Sequence, residues 1–322
     1  MKKIIITLCI GSLLAYSCKE STQDDKKVTT NEEIKDEFQF TPESALKYLT
    51  SDELMGRDTG SEGIEKAAVY AENAFEKFNV QPYFESYRDS FKIEQVDGYN
   101  IVGVLKSKKS NSLKPMVIGA HYDHVGILKA VENDSIGNGA NDNATGTVAV
   151  LELAKYLADK DVNRDVIFAL FSGEEKGLTG SRHLASKMQN LGKEPYLVFN
   201  IEMLGAKMKD KEYRAYVTGY EMSNLAEVFN SFYETEGPFL GFLPQAAQYN
   251  LFKRSDNYPF YQTFTVPSHT ISTFDFTNYD YYHHVKDEFE ALDVDAYLKL
   301  IDDLKPGVLK LINSTETTVN LK

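Results

Sequence analysis

Short apolar segments that resemble buried strands alternate along the 322-residue chain with segments that resemble helices. The strand-like segments are bounded by Gly, Pro or polar residues, whereas the helix-like segments repeat apolar residues at helical spacing. Strands that alternate with helices usually form a largely parallel sheet that is covered on both faces. The pattern therefore predicts an α/β fold, a single domain with a mixed, mostly parallel central sheet flanked by helices on both faces.

The predicted elements begin at Thr41, where Thr41 and Pro42 suit the cap and the first position of a helix. The predicted strands are residues 83–93, 99–106, 115–120, 165–171, 196–200, 213–218 and 265–272. The predicted helices are residues 41–49, 61–78, 147–158, 178–188, 221–234 and 294–312. The last helix is expected to bend or break at Pro306, because proline lacks the backbone N–H that an inner helical turn requires.

Composition and charge indicate a globular protein and argue against one that binds nucleic acid. Hydrophobic residues make up 42% of the chain, which is enough for a substantial core. The formal net charge is -13, and no basic stripe is visible. Because nucleic-acid binding depends on Lys and Arg that neutralise phosphates, a nucleic-acid partner is excluded.

Residues 1–18 have the pattern of an export signal. Lys2 and Lys3 precede an apolar run that is too short to span a membrane, and small residues then lead to Cys18. The ending resembles a bacterial lipoprotein cleavage box, which makes Cys18 the expected lipid attachment site. The alternatives are a simple secretory peptide or a chance apolar start. Cys9 and Cys18 are the only cysteines, so no disulfide is expected in the exported body.

The polar segment that follows, residues 19–40, is predicted to be a flexible tether, and a single folded domain is predicted to cover residues 41–322. With Cys18 acylated, the protein would be an exported, membrane-anchored lipoprotein on the periplasmic or cell-surface side.

Residues with catalytic or metal-binding side chains occur where predicted strands or helices begin or end. His121 and Asp123 follow the strand 115–120, and Asp142 lies in a glycine-rich turn before the helix 147–158. The remaining candidates are Glu174, Glu175, Glu202 and the pair His283 and His284 beside Asp287. Ligands of open α/β sheets bind at such strand ends.

Each of these residues has an ordinary structural interpretation when it is considered alone. A single histidine at a strand end is usually a satisfied polar group, and adjacent glutamates are usually solvated. Together they are harder to attribute to chance, because two histidines and three carboxylates match the nitrogen and oxygen ligands of zinc-type ions. Asp123, two residues after His121, is placed to orient the imidazole of that histidine.

The order and residue composition of the motifs resemble those of the M28 family of zinc metallopeptidases. The similarity extends from Leu54 to the last histidine. The motifs are His-Tyr-Asp-His-Val-Gly, Gly-Ala-Asn-Asp-Asn-Ala-Thr-Gly, Ser-Gly-Glu-Glu-Lys-Gly-Leu-Thr-Gly-Ser, Asn-Ile-Glu-Met-Leu-Gly and Tyr-His-His-Val-Lys-Asp. The segment 255–260 also resembles a family element near the substrate pocket.

The resemblance implies two zinc ions per chain. His121 and Glu202 would bind one ion, Glu175 and His283 would bind the other, and Asp142 would bridge them. Glu174 would be the general base, which takes a proton from a metal-bridging water.

Two departures from the family pattern follow from this assignment. The family often has Asp where this chain has Glu202. The family also usually leaves three residues between the ligand histidine and a following Asp, which favours His283 with Asp287 and leaves His284 as the alternative.

Three functions are compatible with these residues. The first is a two-zinc aminopeptidase that removes N-terminal residues from peptides with a free amino terminus. The second is a glutaminyl-cyclase-like acyltransferase with one zinc, since such enzymes resemble the same family. The third is a surface lipoprotein that retains the fold only for binding, which the presence of Glu174 argues against. Ligand type alone would also permit cobalt or manganese.

Overall fold

The computed structural model describes residues 38–109, 113–233, 237–315 and 317–322. The predicted leader, Cys18 and the tether up to residue 37 lie outside these residues. Phe38 packs its ring edge-on against Tyr70, and Phe40 is buried in the core. The last residues of the predicted tether are therefore packed against the domain.

The central sheet mixes parallel and antiparallel strands, as predicted. Its strands are β1 (Gln81–Pro82), β2 (Arg88–Ile93), β3 (Val96–Leu105), β4 (Met116–His121), β7 (Val166–Phe171), β8 (Leu197–Ile201), β9 (Ala215–Val217), β10 (Leu240–Gly241) and β11 (Ser268–Ser272). The spatial order is β1-β3-β7-β4-β8-β11-β9-β10, and β2 also pairs with β3. The four central strands β7, β4, β8 and β11 are mutually parallel, whereas the β3–β7 and β11–β9 pairs are antiparallel.

A separate two-stranded hairpin follows β4. It consists of β5 (Gly126–Val131) and β6 (Asp134–Gly137).

Helices cover both faces of the sheet because its central strands alternate their side chains between two apolar clusters. The helices are α1 (Pro42–Leu49), α2 (Glu62–Lys77), α3 (Thr145–Ala158), α4 (Thr179–Asn190), α5 (Leu225–Asn230), α6 (Pro244–Gln248), α7 (Asn257–Phe264) and α8 (Val294–Asn313). Ile118, Phe168 and Phe199 belong to the larger cluster, which includes residues of α1, α2, α3, α5 and α8. Val117 and Val198 point to the other face, against α4 and α7.

Local sequence explains several helix boundaries. The Thr41 side chain accepts a hydrogen bond from the Ser44 backbone N–H, and Ser44 Oγ accepts one from the Thr41 backbone N–H, which completes a capping box. Ser61 caps α2 by accepting a hydrogen bond from the Ile64 backbone N–H. The predicted helices 41–49, 61–78 and 147–158 agree with α1, α2 and α3 to within two residues.

Two element predictions, the strand 83–93 and the helix 221–234, were wrong in extent. Residues 83–87 are not in a strand, because they arch between β1 and β2, which both pair with β3. The helix predicted for 221–234 is reduced to α5, with short 3-10 turns on either side. The hairpin β5–β6 was not predicted. Helix α8 also continues past Pro306, because Leu304 and Val308 are buried on its inner face and hold both halves against the core.

Candidate functional site

The candidate residues meet at the carboxyl edge of the parallel strands. His121 is the last residue of β4, Glu174 and Glu175 follow β7 by three and four positions, and Glu202 directly follows β8. Because β4, β7 and β8 are neighbouring parallel strands, their carboxyl ends lie side by side. The topology therefore places side chains that are up to 81 positions apart in the sequence at one edge.

The turn that carries Asp142 is held rigidly over this edge. It begins at Gly139, whose left-handed φ of 58° and close approach to the Asp142 carbonyl leave no space for a side chain. The Asp287 carboxylate accepts hydrogen bonds from the backbone N–H groups of Asn141 (2.7 Å) and Asp142 (3.0 Å). Asp287, which follows the histidine pair in the sequence, thus holds the turn that carries Asp142.

The two asparagines that flank Asp142 fasten the same turn to the end of β8. Asn143 Oδ1 accepts from the Met203 backbone N–H (3.0 Å), and Asn141 Oδ1 accepts from Gly205 N–H (2.8 Å). The Asn side chains therefore position Asp142 and do not simply favour a turn.

His121, Asp142 and Glu202 form the first ligand group. Each offers one ligand atom, and these atoms lie within 4.8 Å of one another. His121 Nε2 is 3.3 Å from Asp142 Oδ1. His121 Nδ1 donates to the backbone carbonyl of Asp123 (3.1 Å), which leaves Nε2 directed at the two carboxylates.

Asp142 also belongs to a second ligand group, with Glu175, His283 and His124. His283 Nε2 is 3.1 Å from Glu175 Oε1 and 3.2 Å from Asp142 Oδ2. His284 instead accepts a hydrogen bond from the Lys286 backbone and lies in neither group of the described residues. Geometry therefore selects His283 over its neighbour, and Asp142 is shared between the two groups.

Asp123 contacts the site in a different way from the one predicted. The orienting contact to His121 comes from its backbone carbonyl, while its carboxylate is 3.8 Å from His121 Nδ1. The carboxylate accepts from Thr59 Oγ1 (3.1 Å), Gly173 N–H (2.9 Å) and Glu174 N–H (3.3 Å). Asp123 thereby ties the end of β4 to the backbone that carries Glu174.

Glu174 lies beside both groups without belonging to either of them. Burial raises the pKa of its carboxyl group well above the ordinary value, and the nearby charges of Glu202 and Asp256 act in the same direction. A carboxyl group whose pKa is raised in this way is better suited to accept a proton than an ordinary carboxylate.

Two further residues lie in the site although the sequence assigned them no role. His124, which follows the same strand end as His121 and Asp123, is fully buried, and its Nδ1 is 3.1 Å from Glu175 Oε1. Asp256, in the segment expected near the substrate pocket, is also buried. Burial raises its pKa to about 7, and neither of its oxygens has a hydrogen-bond partner in the described part of the chain.

The donor set fits divalent cations. His121 Nε2 and Glu202 Oε2 are buried and lack hydrogen-bond partners among the described residues, although buried polar atoms are normally satisfied. Several carboxylates crowd one small volume, where their mutual repulsion requires protons or cations. Imidazole nitrogen and carboxylate oxygen are the ligands that zinc-type ions take.

A cavity of about 110 Å³ opens beside Glu202. Phe274, Phe276 and Tyr282 line it, and Tyr282 stacks on His283 at a centroid distance of 4.0 Å. The nearby Tyr279 donates a hydrogen bond to Asp287. A larger cavity of about 400 Å³, between Lys207 and Asp303, contains none of the candidate ligands.

Within the described ranges, no helix has the length and apolar character needed to cross a membrane.

Comparisons with known proteins agree on the fold and the family. A family model described as "Peptidase family M28" matches residues 100–304. The aminopeptidase YwaD of Bacillus subtilis is 33% identical over 107 residues, which cover 33% of this chain and 22% of that protein. The chain spans about a fifth to a quarter of the length of the curated relatives that it matches in this way.

Solved structures share the architecture at low sequence identity. BSAP, a zinc aminopeptidase from Bacillus subtilis, superimposes with a TM-score of 0.65 at 15% identity, covering 88% of this chain and 98% of that one. The glutaminyl cyclase of Porphyromonas gingivalis gives a TM-score of 0.64 at 15% identity, covering 85% and 99%. At this identity the likeness concerns the fold alone.

Proposed function

Because the chain belongs to peptidase family M28, we propose that it is a two-zinc aminopeptidase that hydrolyses the first peptide bond of peptides with a free amino terminus. The observation that carries the proposal is the pair of ligand groups that share Asp142, with Glu174 beside both of them. His121, Asp142 and Glu202 would hold one ion, and Asp142, Glu175 and His283 would hold the other.

When bound, the ions supply Lewis acidity, which lowers the pKa of water and stabilises negative charge on the carbonyl oxygen of the substrate. Glu174 supplies the proton transfers. Its carboxylate accepts a proton from the attacking water and returns it to the leaving amine, which its raised pKa favours. Asp123 holds the Glu174 backbone N–H and so keeps this carboxylate in position.

The cavity beside Glu202 is suited to the side chain of the N-terminal residue. Its wall combines Phe274, Phe276 and Tyr282 with the hydroxyl groups of Ser255 and Thr270. The Glu202 carboxylate in this wall gives a free α-ammonium group an electrostatic partner, whereas a blocked terminus would lose this interaction.

A single-zinc glutaminyl cyclase is the second candidate, and the fold likeness to the Porphyromonas gingivalis enzyme supports it. The aminopeptidase is preferred because both ligand groups are complete in this chain. One bound zinc per chain, together with cyclisation of a peptide that begins with glutamine, would favour the cyclase.

The test is a digest of a peptide library by protein that lacks residues 1–18, with zinc and after chelation. Each peptide is supplied with a free and with an acetylated amino terminus. We expect zinc-dependent release of single residues from the free peptides only. Efficient cleavage of the acetylated peptides would contradict the aminopeptidase and leave a metallopeptidase, while absence of any cleavage would contradict both.

The location of the enzyme is part of the proposal. Residues 1–18 would direct export, and lipid on Cys18 would hold the catalytic domain at a membrane surface through the segment 19–40. Peptides outside the cytoplasm would then be its substrates.

A further inference from the structure

The two ligand groups differ in the number of protein donors. The first group has one imidazole, that of His121, together with Asp142 and Glu202. The second group has two imidazoles, because His124 joins His283. His124 is fully buried.

Four distances within the second group are close to those between the ligands of one zinc ion. Zinc with nitrogen or oxygen ligands at about 2.0–2.1 Å in a tetrahedron separates neighbouring ligand atoms by about 3.3 Å. His124 Nδ1 lies 3.1 Å from Glu175 Oε1 and 3.8 Å from Asp142 Oδ2. The two corresponding distances from His283 Nε2 are 3.1 Å and 3.2 Å. Both imidazoles therefore lie within 3.8 Å of the same two carboxylates.

We propose that His124 is a fourth protein ligand of the second ion, whereas the first ion has three protein ligands. This inference rests on the proposed two-zinc function. Four protein donors are typical of a retained zinc, whereas three donors leave a coordination position for water or substrate. The second ion is then the tightly held one, and the first ion is the exchangeable ion nearest the cavity beside Glu202.

The consequence is a stepwise order of metal binding. The first equivalent of zinc fills the His124–Asp142–Glu175–His283 group, and the second equivalent fills the His121–Asp142–Glu202 group. Removal of His124 weakens binding of the first equivalent by at least about tenfold, a loss at the lower end of what changes around a metal cause.

The experiment compares the parent protein with His124→Ala and His124→Gln, and with His284→Ala as the matched control. His284 is a nearby histidine that lies in neither ligand group of the described residues. Zinc affinity is measured by competition with a chromogenic chelator. The ligands of the first equivalent are counted by X-ray absorption, and melting of the metal-free proteins verifies that each variant is folded.

We expect two imidazoles on the first zinc of the parent and of His284→Ala, and one imidazole on the first zinc of a folded His124 variant. Unchanged zinc affinity and imidazole count in the His124 variants would overturn the inference while leaving the two-zinc peptidase intact. A parent protein that binds no zinc would overturn the proposed function itself. The glutamine variant provides the same comparison if alanine prevents folding.

Discussion

Glu174 and Glu175 are adjacent in the sequence, yet their surroundings shift the pKa values of the two carboxyl groups in opposite directions. Burial raises the pKa of Glu174. For Glu175, burial and the charge of Asp142 act to raise the pKa, but the contacts with His124 and His283 outweigh them and lower it. A pair of carboxyl groups whose pKa values diverge in this way is typical of a division into proton carrier and charged ligand.

The first prediction follows from this difference. Glu174→Gln should lower kcat by a factor of about 10² to 10⁴, because the amide cannot accept the proton of water, while zinc content stays at the parental value. Activity and metal content are measured on the same preparation, with the solvent-exposed Glu43→Gln as a control. Parental activity of the Glu174 variant would exclude this residue as the base.

The second prediction concerns stability and pH in the metal-free protein. Burial raises the pKa of Glu202 and of Asp256 to about 7, and both groups hold their protons more tightly in the folded than in the unfolded chain. Burial acts to lower the pKa of His283, but Asp142 and Glu175 outweigh it and raise the value to about 10. Each of these three groups stabilises the folded chain at low pH. This stabilisation is lost as pH rises through the pKa of the group in the folded state.

The melting temperature of the metal-free protein should therefore fall between about pH 5 and pH 9. Zinc takes the place of the displaced protons and should flatten this dependence. Glu202→Gln should also reduce the fall below about pH 7. Calorimetry of the three samples across this range provides the measurement, and a metal-free melting temperature that rises with pH would contradict the sign.

At the scale of elements, Arg57 links three segments around the metal groups. Its guanidinium is fully buried and donates to the backbone carbonyls of Leu49 at the end of α1, Tyr122 after β4, and Asn138 and Gly139 before Asp142. Five N–H donors on one planar group allow it to satisfy carbonyls that approach from different directions. Arg57 thus fixes the relative position of the segments that carry His121 and Asp142.

The third prediction uses a second buried arginine as its control. Arg57→Lys should lower the free energy of unfolding by about 2–4 kcal/mol, because one ammonium group leaves buried carbonyls unsatisfied. It should also weaken zinc binding. Arg164 likewise donates to backbone carbonyls, those of Lys114, Ile312 and Ser314, but away from the ligand groups.

Arg164→Lys should therefore lower the free energy of unfolding by a similar amount, while its zinc affinity should remain that of the parent protein. Denaturant unfolding of the metal-free proteins and chelator competition separate the two effects. Equal loss of zinc affinity in both variants would show that Arg57 has no specific role in positioning the ligands.

At the scale of the whole molecule, the proposed lipid anchor and the catalytic domain are separable. The fourth prediction is that Cys18→Ser moves the full-length protein from the membrane fraction to the soluble fraction without loss of peptidase activity, because the substitution would remove the proposed lipid attachment site and leave residues 41–322 unchanged. Cys9→Ser, within the same leader, is the matched control and should remain in the membrane fraction. Fractionation of cells and peptidase assays on both fractions test this, and a soluble parent protein would contradict the anchor.

The local pattern of residues was sufficient to predict most of the central elements. Strands β4, β7 and β8 and helices α1, α2 and α3 were expected within about two residues, because continuous apolar runs, helical periodicity and caps are local signals. The hairpin β5–β6, the arch before β2 and the uninterrupted helix α8 depend on partners distant in the sequence. Local patterns do not contain that information.

The sequence by itself determined the α/β architecture, the carboxyl ends of strands as the place of the site, and the residue types that could bind cations. Only the tertiary structure decided that His283 and not His284 faces Asp142, that Asp123 orients His121 through its carbonyl, and that His124 enters the second group. The physical reason is that a ligand group is defined by distances of a few ångströms between side chains on different strands. Those distances exist only after the parallel strands have brought their carboxyl ends together.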